Sequence, residues 1–129
     1  MIITDTLSNF FSKIKNGSLA KKYKITQYKS KQIINILNIF IKEGLIKSYQ
    51  ISKKNENIIY IYLKYNKNKS VIQQIIKISK PSKRIYIKNK ELFKIKKRGI
   101  YILSTSYGII TDIQAKKLNL GGELICNIY

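Results

Sequence analysis

The chain has 129 residues, 44% of them apolar, and carries 26 Lys+Arg against 6 Asp+Glu for a net charge of +20. That length suits one domain or two very small ones, each around a modest core. With no His and a single cysteine, Cys126, the sequence excludes a Cys/His zinc centre and an intrachain disulfide, and it leaves Cys126 no imidazole base to make it a nucleophile.

Taken in chain order, residues 4–16 are predicted as a helix. Thr4 or Asp5 caps its start, and Leu7, Phe10, Phe11 and Ile14 share one apolar face. Asn16-Gly17 is expected to end it, since glycine suits the left-handed position after a helix. Residues 21–26 are a short basic strand candidate. Ser30 is placed to cap a second helix, residues 30–43, with Ile33, Ile34, Leu37, Phe40 and Ile41 on its face and Gly44 as its terminator. Strands are expected at 45–52 and 57–64, joined by the polar turn Lys53-Lys54-Asn55-Glu56. Residues 65–70, rich in Asn and Lys, are the best linker. They divide an N-terminal α-β-α-β-β domain, residues 1–66, from a C-terminal domain, residues 67–129.

Beyond the linker the pattern turns to short strands at 75–79, 84–87, 100–103 and 109–111, with a last one at 123–129. Residues 89–95 leave helix and turn both open. Thr111 or Asp112 caps a short helix through Lys117. The fold class is therefore α+β, with a C-terminal half that is mostly β. Cys126 falls within Leu124-Ile125-Cys126-Asn127-Ile128 and is expected to be a buried thiol.

No stretch of about 18 uncharged apolar residues is present, which argues against a membrane-spanning helix. The opening Met1-Ile2-Ile3-Thr4-Asp5 lacks the look of a secretory or transit leader. No two carboxylates lie close enough in sequence to suggest acid–base work. The charge asks for a polyanion, and its spread along the whole chain favours nucleic acid over a membrane surface. Part of the lysine excess has another origin. With 24 Lys against two Arg, 28 Ile, 11 Asn and 10 Tyr, the sequence is inflated in residues with A/T-rich codons, as organelles and reduced bacteria have. The scarcity of carboxylates is not explained that way, so the net charge keeps its meaning.

The sharpest feature is C-terminal. Pro81-Ser82-Lys83-Arg84-Ile85-Tyr86 is followed by Ser104-Thr105-Ser106-Tyr107-Gly108, then Thr111-Asp112-Ile113-Gln114-Ala115-Lys116, then Gly121-Gly122-Glu123. Three adjacent hydroxyls before a Gly turn suit an RNA minor groove, where 2′-hydroxyls and base edges are displayed. Gly121-Gly122 permits close backbone approach, and Glu123 is expected to accept bonds from the hydroxyls and orient them.

In this order and spacing the motifs resemble the eighth-protein family of the bacterial-type small ribosomal subunit, over nearly the whole chain and most closely from Ser79 to Tyr129. Asp5, Leu7, Ile14 and Asn16 resemble the family's opening helix. The resemblance implies two small α/β domains packed through an apolar interface. It implies direct, early binding to the central domain of small-subunit ribosomal RNA in the platform, beside other small-subunit proteins, without cofactor, metal, membrane or small-molecule substrate. Carried over, Ser104, Thr105 and Ser106 touch RNA, Ser106 nearest a base, with Gly121, Gly122 and Glu123 orienting the loop. Lys80, Lys83 and Arg84 meet phosphates, and Thr4, Asp5, Asn16, Lys53 and Lys54 add contacts; Asp5 and Asn16 have equally good roles as helix caps. Tyr86 serves packing or stacking. The family usually has Gly where Ser82 stands, and Lys or Arg where Tyr107 stands; Tyr107 is expected to stack on a base or sugar instead. An organellar ribosome, mitochondrial before plastid, is the expected setting, with the cytoplasm of an A/T-rich bacterium as the alternative. The rival functions are a free-standing RNA-binding translational regulator and, against the absent His and unpaired carboxylates, a small RNA-processing enzyme.

Overall fold

A computed structural model describes residues 2–80, 82–95 and 98–129, with side chains from Thr6 onward. The chain forms two compact units: Thr6–Gln73, and Gln74–Tyr129 together with Met1–Asp5. Both are α+β, with antiparallel sheets and helices.

In the first unit the elements are α1 (Ile2–Leu19) from Thr6 onward, β1 (Lys24–Tyr28), α2 (Lys31–Lys42), β2 (Ile46–Ile51), β3 (Ile58–Leu63) and the short pair β4 (Tyr65–Asn66) and β5 (Lys69–Ser70). Helix α1 runs past its expected stop. Gly17 lies inside it, buried, where a Cβ would come 2.7 Å from Ile25 Cγ2 and 3.2 Å from Leu63 Cδ1. Glycine is there so the helix can approach the sheet, not to end the helix. The stop falls at Lys21, left-handed at φ 54°, where the Lys22 amide donates to the Gly17 carbonyl at 2.9 Å and the Lys21 amide to Ser18 at 3.2 Å.

Ser30 caps α2 as expected: its hydroxyl accepts from the Ile33 amide at 3.1 Å. Gly44 follows the helix at φ +73°, the left-handed region. Ile33, Leu37 and Phe40 are buried as predicted; Ile36 and Ile39 join them, while Ile41 is exposed. Apolar residues fill so much of this helix that periodicity could not fix where the stripe is centred. The rings of Phe10 and Phe40 stack at 6.2 Å, joining α1 to α2. The sheet runs β1-β3-β2, all antiparallel, with Ile59, Ile61 and Leu63 of β3 facing inward.

Residues 65–70 are not a free linker. Lys67 and Asn68 take φ of 51° and 65°, the two positive values that a tight two-residue hairpin needs, and β4 pairs with β5 around them. The Tyr65 hydroxyl donates to the Lys22 carbonyl at 2.7 Å, tying the hairpin to the end of α1, and partial burial raises its pKa.

The second unit contains β6 (Ile75–Lys77), β7 (Tyr86–Ile87), α3 (Asn89–Leu92), β8 (Ile100–Thr105), β9 (Gly108–Thr111), α4 (Asp112–Lys117) and β10 (Gly122–Ile128). Strand β10 is central: β8 lies along one side, β6 and β7 along the other, and β9 outside β8. Ile87, Leu92, Leu103, Ala115 and Leu124 form the core beneath α3 and α4. The expected cap of α4 is Thr111, in a capping box with Gln114. Helix α3 takes the helical of the two readings left open at 89–95.

Candidate nucleic-acid interface

The three hydroxyls do not form one loop. Ser104 and Thr105 are the last residues of β8, paired with Ile109 and Gly108 of β9, and only Ser106-Tyr107 stand at the tip. Gly108, at φ +100°, supplies the positive φ that closes this hairpin. The Thr105 hydroxyl is spent on the turn: it donates to the Gly108 carbonyl at 2.9 Å and accepts from the Tyr107 amide at 3.1 Å. Thr105 thereby fixes the tip, while Ser106 and Tyr107, the latter 72% exposed, are left facing solvent.

Both glycines of the Gly-Gly pair sit at close backbone approaches. A Cβ on Gly122 would lie 2.3 Å from the Ser104 carbonyl oxygen; one on Gly121 would lie 2.4 Å from that of Ile87. The pair thus brings β10 hard against β8 and against the end of β7. The register then aligns Tyr86, Glu123, Ser104 and Ile109 in one row across four strands, on the face opposite Leu103 and Leu124.

Among the described residues, the partner seen at Glu123 is a cation. The Glu123 carboxylate takes Arg84, Nη1 to Oε1 at 3.4 Å. The reason is chemical: a guanidinium offers a charge-assisted bond, which outweighs a neutral hydroxyl donor. Glu123 thus meets a cation, while Gly122 and Thr105 shape the hairpin.

Lys80 and Lys83 face each other at a second tip, between β6 and β7. The Lys80 amide donates to the Lys83 carbonyl at 2.9 Å, and the Lys83 amide to Lys80 at 3.0 Å. Pro81 between them lies outside the described residues; Ser82 is exposed. The tip is anchored by Ser79, a buried residue the sequence did not single out. Its hydroxyl donates to the Leu124 carbonyl at 2.6 Å and accepts from the Ile85 amide at 3.0 Å. A serine just ahead of a basic turn was the available signal.

The structure thus gathers Arg84, Tyr86, Glu123 and Ser104 on one face, with Ser106-Tyr107 and Lys80/Lys83 at projecting tips. The other candidates belong to the first unit. Asn16 is exposed within α1, not at its C-cap, and Lys53 and Lys54 are exposed on the β2–β3 turn. The Ser52 hydroxyl accepts from the amides of Lys54 and Asn55, both at 3.3 Å, and shapes that turn. The side chains of Thr4 and Asp5 lie outside the described residues.

Cys126 is fully buried, and burial pushes its thiol pKa well up, so it is held neutral. Among the described residues no group of three His, Cys, Asp or Glu side chains could hold a metal ion, and no helix is long and apolar enough to cross a membrane. What remains is a positively charged surface with short hydroxyl side chains and exposed aromatic rings, suited to a phosphate backbone and to groove edges.

The family model described as Ribosomal protein S8 matches residues 5–129. The small ribosomal subunit protein uS8 of Buchnera aphidicola subsp. Schizaphis graminum is 42% identical over 99% of both chains. That of Blochmanniella pennsylvanica is 39% identical over the same shares, and uS8c of Chlorella vulgaris is 38% identical over 99% of this chain and 100% of its own.

Proposed function

This chain belongs to the ribosomal protein S8 family, and so is a structural component of the small ribosomal subunit rather than an enzyme; we propose that it binds the central domain of small-subunit ribosomal RNA directly and supports assembly of the platform. The observation that carries the reading is the β8–β9 tip. Its Ser106 hydroxyl is free because Thr105 has taken over the turn's hydrogen bonding. A short, exposed hydroxyl on a rigid tip can enter a shallow minor groove and meet 2′-hydroxyls or a base edge. Tyr107 and Tyr86 add exposed rings nearby. Arg84, held at one nitrogen by Glu123, keeps its other donors for a phosphate, and the Lys80–Lys83 tip supplies two more cations. Phosphate contacts set the register and Ser106 reads the groove. We further propose that Asn16, Lys53 and Lys54 contribute contacts from the first unit.

An organellar ribosome and the ribosome of an A/T-rich bacterium both fit the codon-driven composition; the plastid relative supports the first, the Buchnera and Blochmanniella relatives the second. Co-sedimentation with small subunits from isolated organelles or from bacterial lysate separates them.

The test of the RNA reading is a binding titration of the full chain with a transcript of the cognate central domain and with an unrelated duplex of equal length, at one salt concentration. The central-domain transcript should bind more tightly, by a factor well above the non-specific electrostatic baseline. Equal affinity for the two would defeat the proposal.

A further inference from the structure

The outer face of the β1-β3-β2 sheet carries side chains that packing of its unit does not require. On β3, Ile59, Ile61 and Leu63 are buried, while Tyr60 and Tyr62 turn the other way and stay half-exposed. The register sets Lys24 and Ser48 beside Tyr62, and Thr26 and Gln50 beside Tyr60. Tyr23, itself 64% exposed, meets Tyr62 edge-on at 5.4 Å. The Lys24 ammonium stands 4.5 Å above the Tyr60 ring, and that of Lys47 5.6 Å from the Tyr23 ring. Lys47 reaches this face because β2 bulges between Ile46 and Ser48, which re-aims its side chain. Tyr23, Lys24, Lys47, Ser48 and Tyr62 line an open depression of about 480 Å³. None of the three strands contains Asp or Glu.

A single exposed ring needs no explanation. Three rings and two ammonium groups on one face with no carboxylate in its strands do. We infer that this face is a second RNA-binding surface, for unpaired nucleotides, with bases stacking on Tyr60 and Tyr62 and phosphates met by Lys24 and Lys47. Outward residues two apart on a strand lie about 6.6–6.8 Å from each other, room for one base per ring. Sheet-borne aromatics hold two or three unstacked bases in this manner. Lys24 now covers the Tyr60 ring, but base stacking is worth more than an exposed cation–π contact, and a displaced ammonium finds a phosphate. Ser48 and Gln50 offer hydrogen bonds to base edges. A flat sheet has no projection to enter a duplex groove, which sets this surface apart from the β8–β9 tip. It lies in the other unit and extends the proposed function, so either reading can fail alone.

The test uses the full chain and a fluorescein-labelled oligouridylate of about eight nucleotides, within the range of single-strand site sizes, with affinity read by fluorescence anisotropy. Tyr60→Leu with Tyr62→Leu should weaken binding at least about fivefold per ring, while Tyr60→Phe with Tyr62→Phe holds affinity within about twofold. Lys24→Gln with Lys47→Gln should flatten the logarithmic salt slope by about 1.4, the value for two phosphates on a single strand. If the leucine variant is unfolded by circular dichroism, 4-thiouridine crosslinking of the unaltered protein decides: adducts belong at Tyr23, Tyr60 or Tyr62. Adducts confined to residues 80–107, a leucine variant that binds as well as the original, or an Asp/Glu-rich peptide that binds this face more tightly than the oligonucleotide would each overturn the inference.

Discussion

Replacing Gly122 by alanine perturbs the feature that holds the candidate tip in place. The added Cβ would sit 2.3 Å from the Ser104 carbonyl oxygen, 3.0 Å from Thr105 Cγ2 and 3.1 Å from the Ser104 carbonyl carbon. Two of those three are backbone atoms of β8, so no rotamer change relieves the clash. An ordinary contact requires the strands to part by about 1 Å, enough to break the ladder hydrogen bonding beside Glu123. Overpacking of this kind costs about 1–3 kcal/mol, and each lost backbone hydrogen bond about 1 kcal/mol more. The reduced freedom of the unfolded chain offsets about 0.4–1 kcal/mol. The expected net loss is about 2–3 kcal/mol, read as a lower midpoint in urea denaturation at unchanged slope. A Thr105→Ser background separates the two kinds of neighbour, because it removes only the methyl group. It should rescue Gly122→Ala by no more than about 0.5 kcal/mol in a double-mutant cycle. A Gly122→Ala protein within about 0.5 kcal/mol of the original, or one fully rescued by Thr105→Ser, would refute the claim that backbone approach requires this glycine.

Ser106→Ala should weaken binding to the cognate ribosomal RNA helix by about 1–3 kcal/mol, since an RNA partner is left unpaired, and unchanged affinity would remove Ser106 from the interface. Lys83→Ala should flatten the salt slope by about one phosphate, about 0.9 on duplex RNA if the duplex value for DNA carries over, and an unaltered slope would place Lys83 off the backbone. Gln27, 3% exposed, has a buried side-chain oxygen with no hydrogen-bond partner among the described residues, so Gln27→Met should raise stability by about 1 kcal/mol in urea titrations; a loss instead would mean the oxygen is satisfied. Burial raises the Cys126 pKa, so the unfolded chain releases its thiol proton near the ordinary value of 9.0 while the folded chain keeps it. Stability from this residue is whole below that pH and falls above it by about 1.4 kcal/mol per pH unit; Cys126→Ala should lose this slope, and its persistence would assign the alkaline loss elsewhere.

What could be read from the sequence was local chemistry. Ser30, Gly44 and Thr111 act as their residue types announce, because a cap needs only its own turn of helix. The failures share one cause: the deciding neighbour is distant in sequence. Gly17 looks like a helix terminator, yet it answers to Ile25 and Leu63 across the unit. Glu123 was read within its own motif, and nothing there announced that the register brings Arg84, 39 residues away, to its carboxylate. Residues 65–70 lack glycine, so nothing announced that Lys67 and Asn68 would accept positive φ and close a hairpin. The Tyr60 and Tyr62 alternation was visible, but only the placement of Lys24 and Lys47 over the rings gave it meaning.

The Lys80–Lys83 pair has a consequence for the protein when it is away from RNA. Two ammonium-bearing residues set directly opposite each other repel, at a cost of about 0.2–1 kcal/mol. Counterions from the solvent screen that repulsion. On the proposed reading, a phosphate of the RNA backbone would displace those counterions, and their release into bulk solvent would drive the exchange. Buffers rich in sulfate or phosphate should stabilise the isolated protein while competing with its RNA, so a condition chosen to keep the chain soluble is the one most apt to hide its affinity.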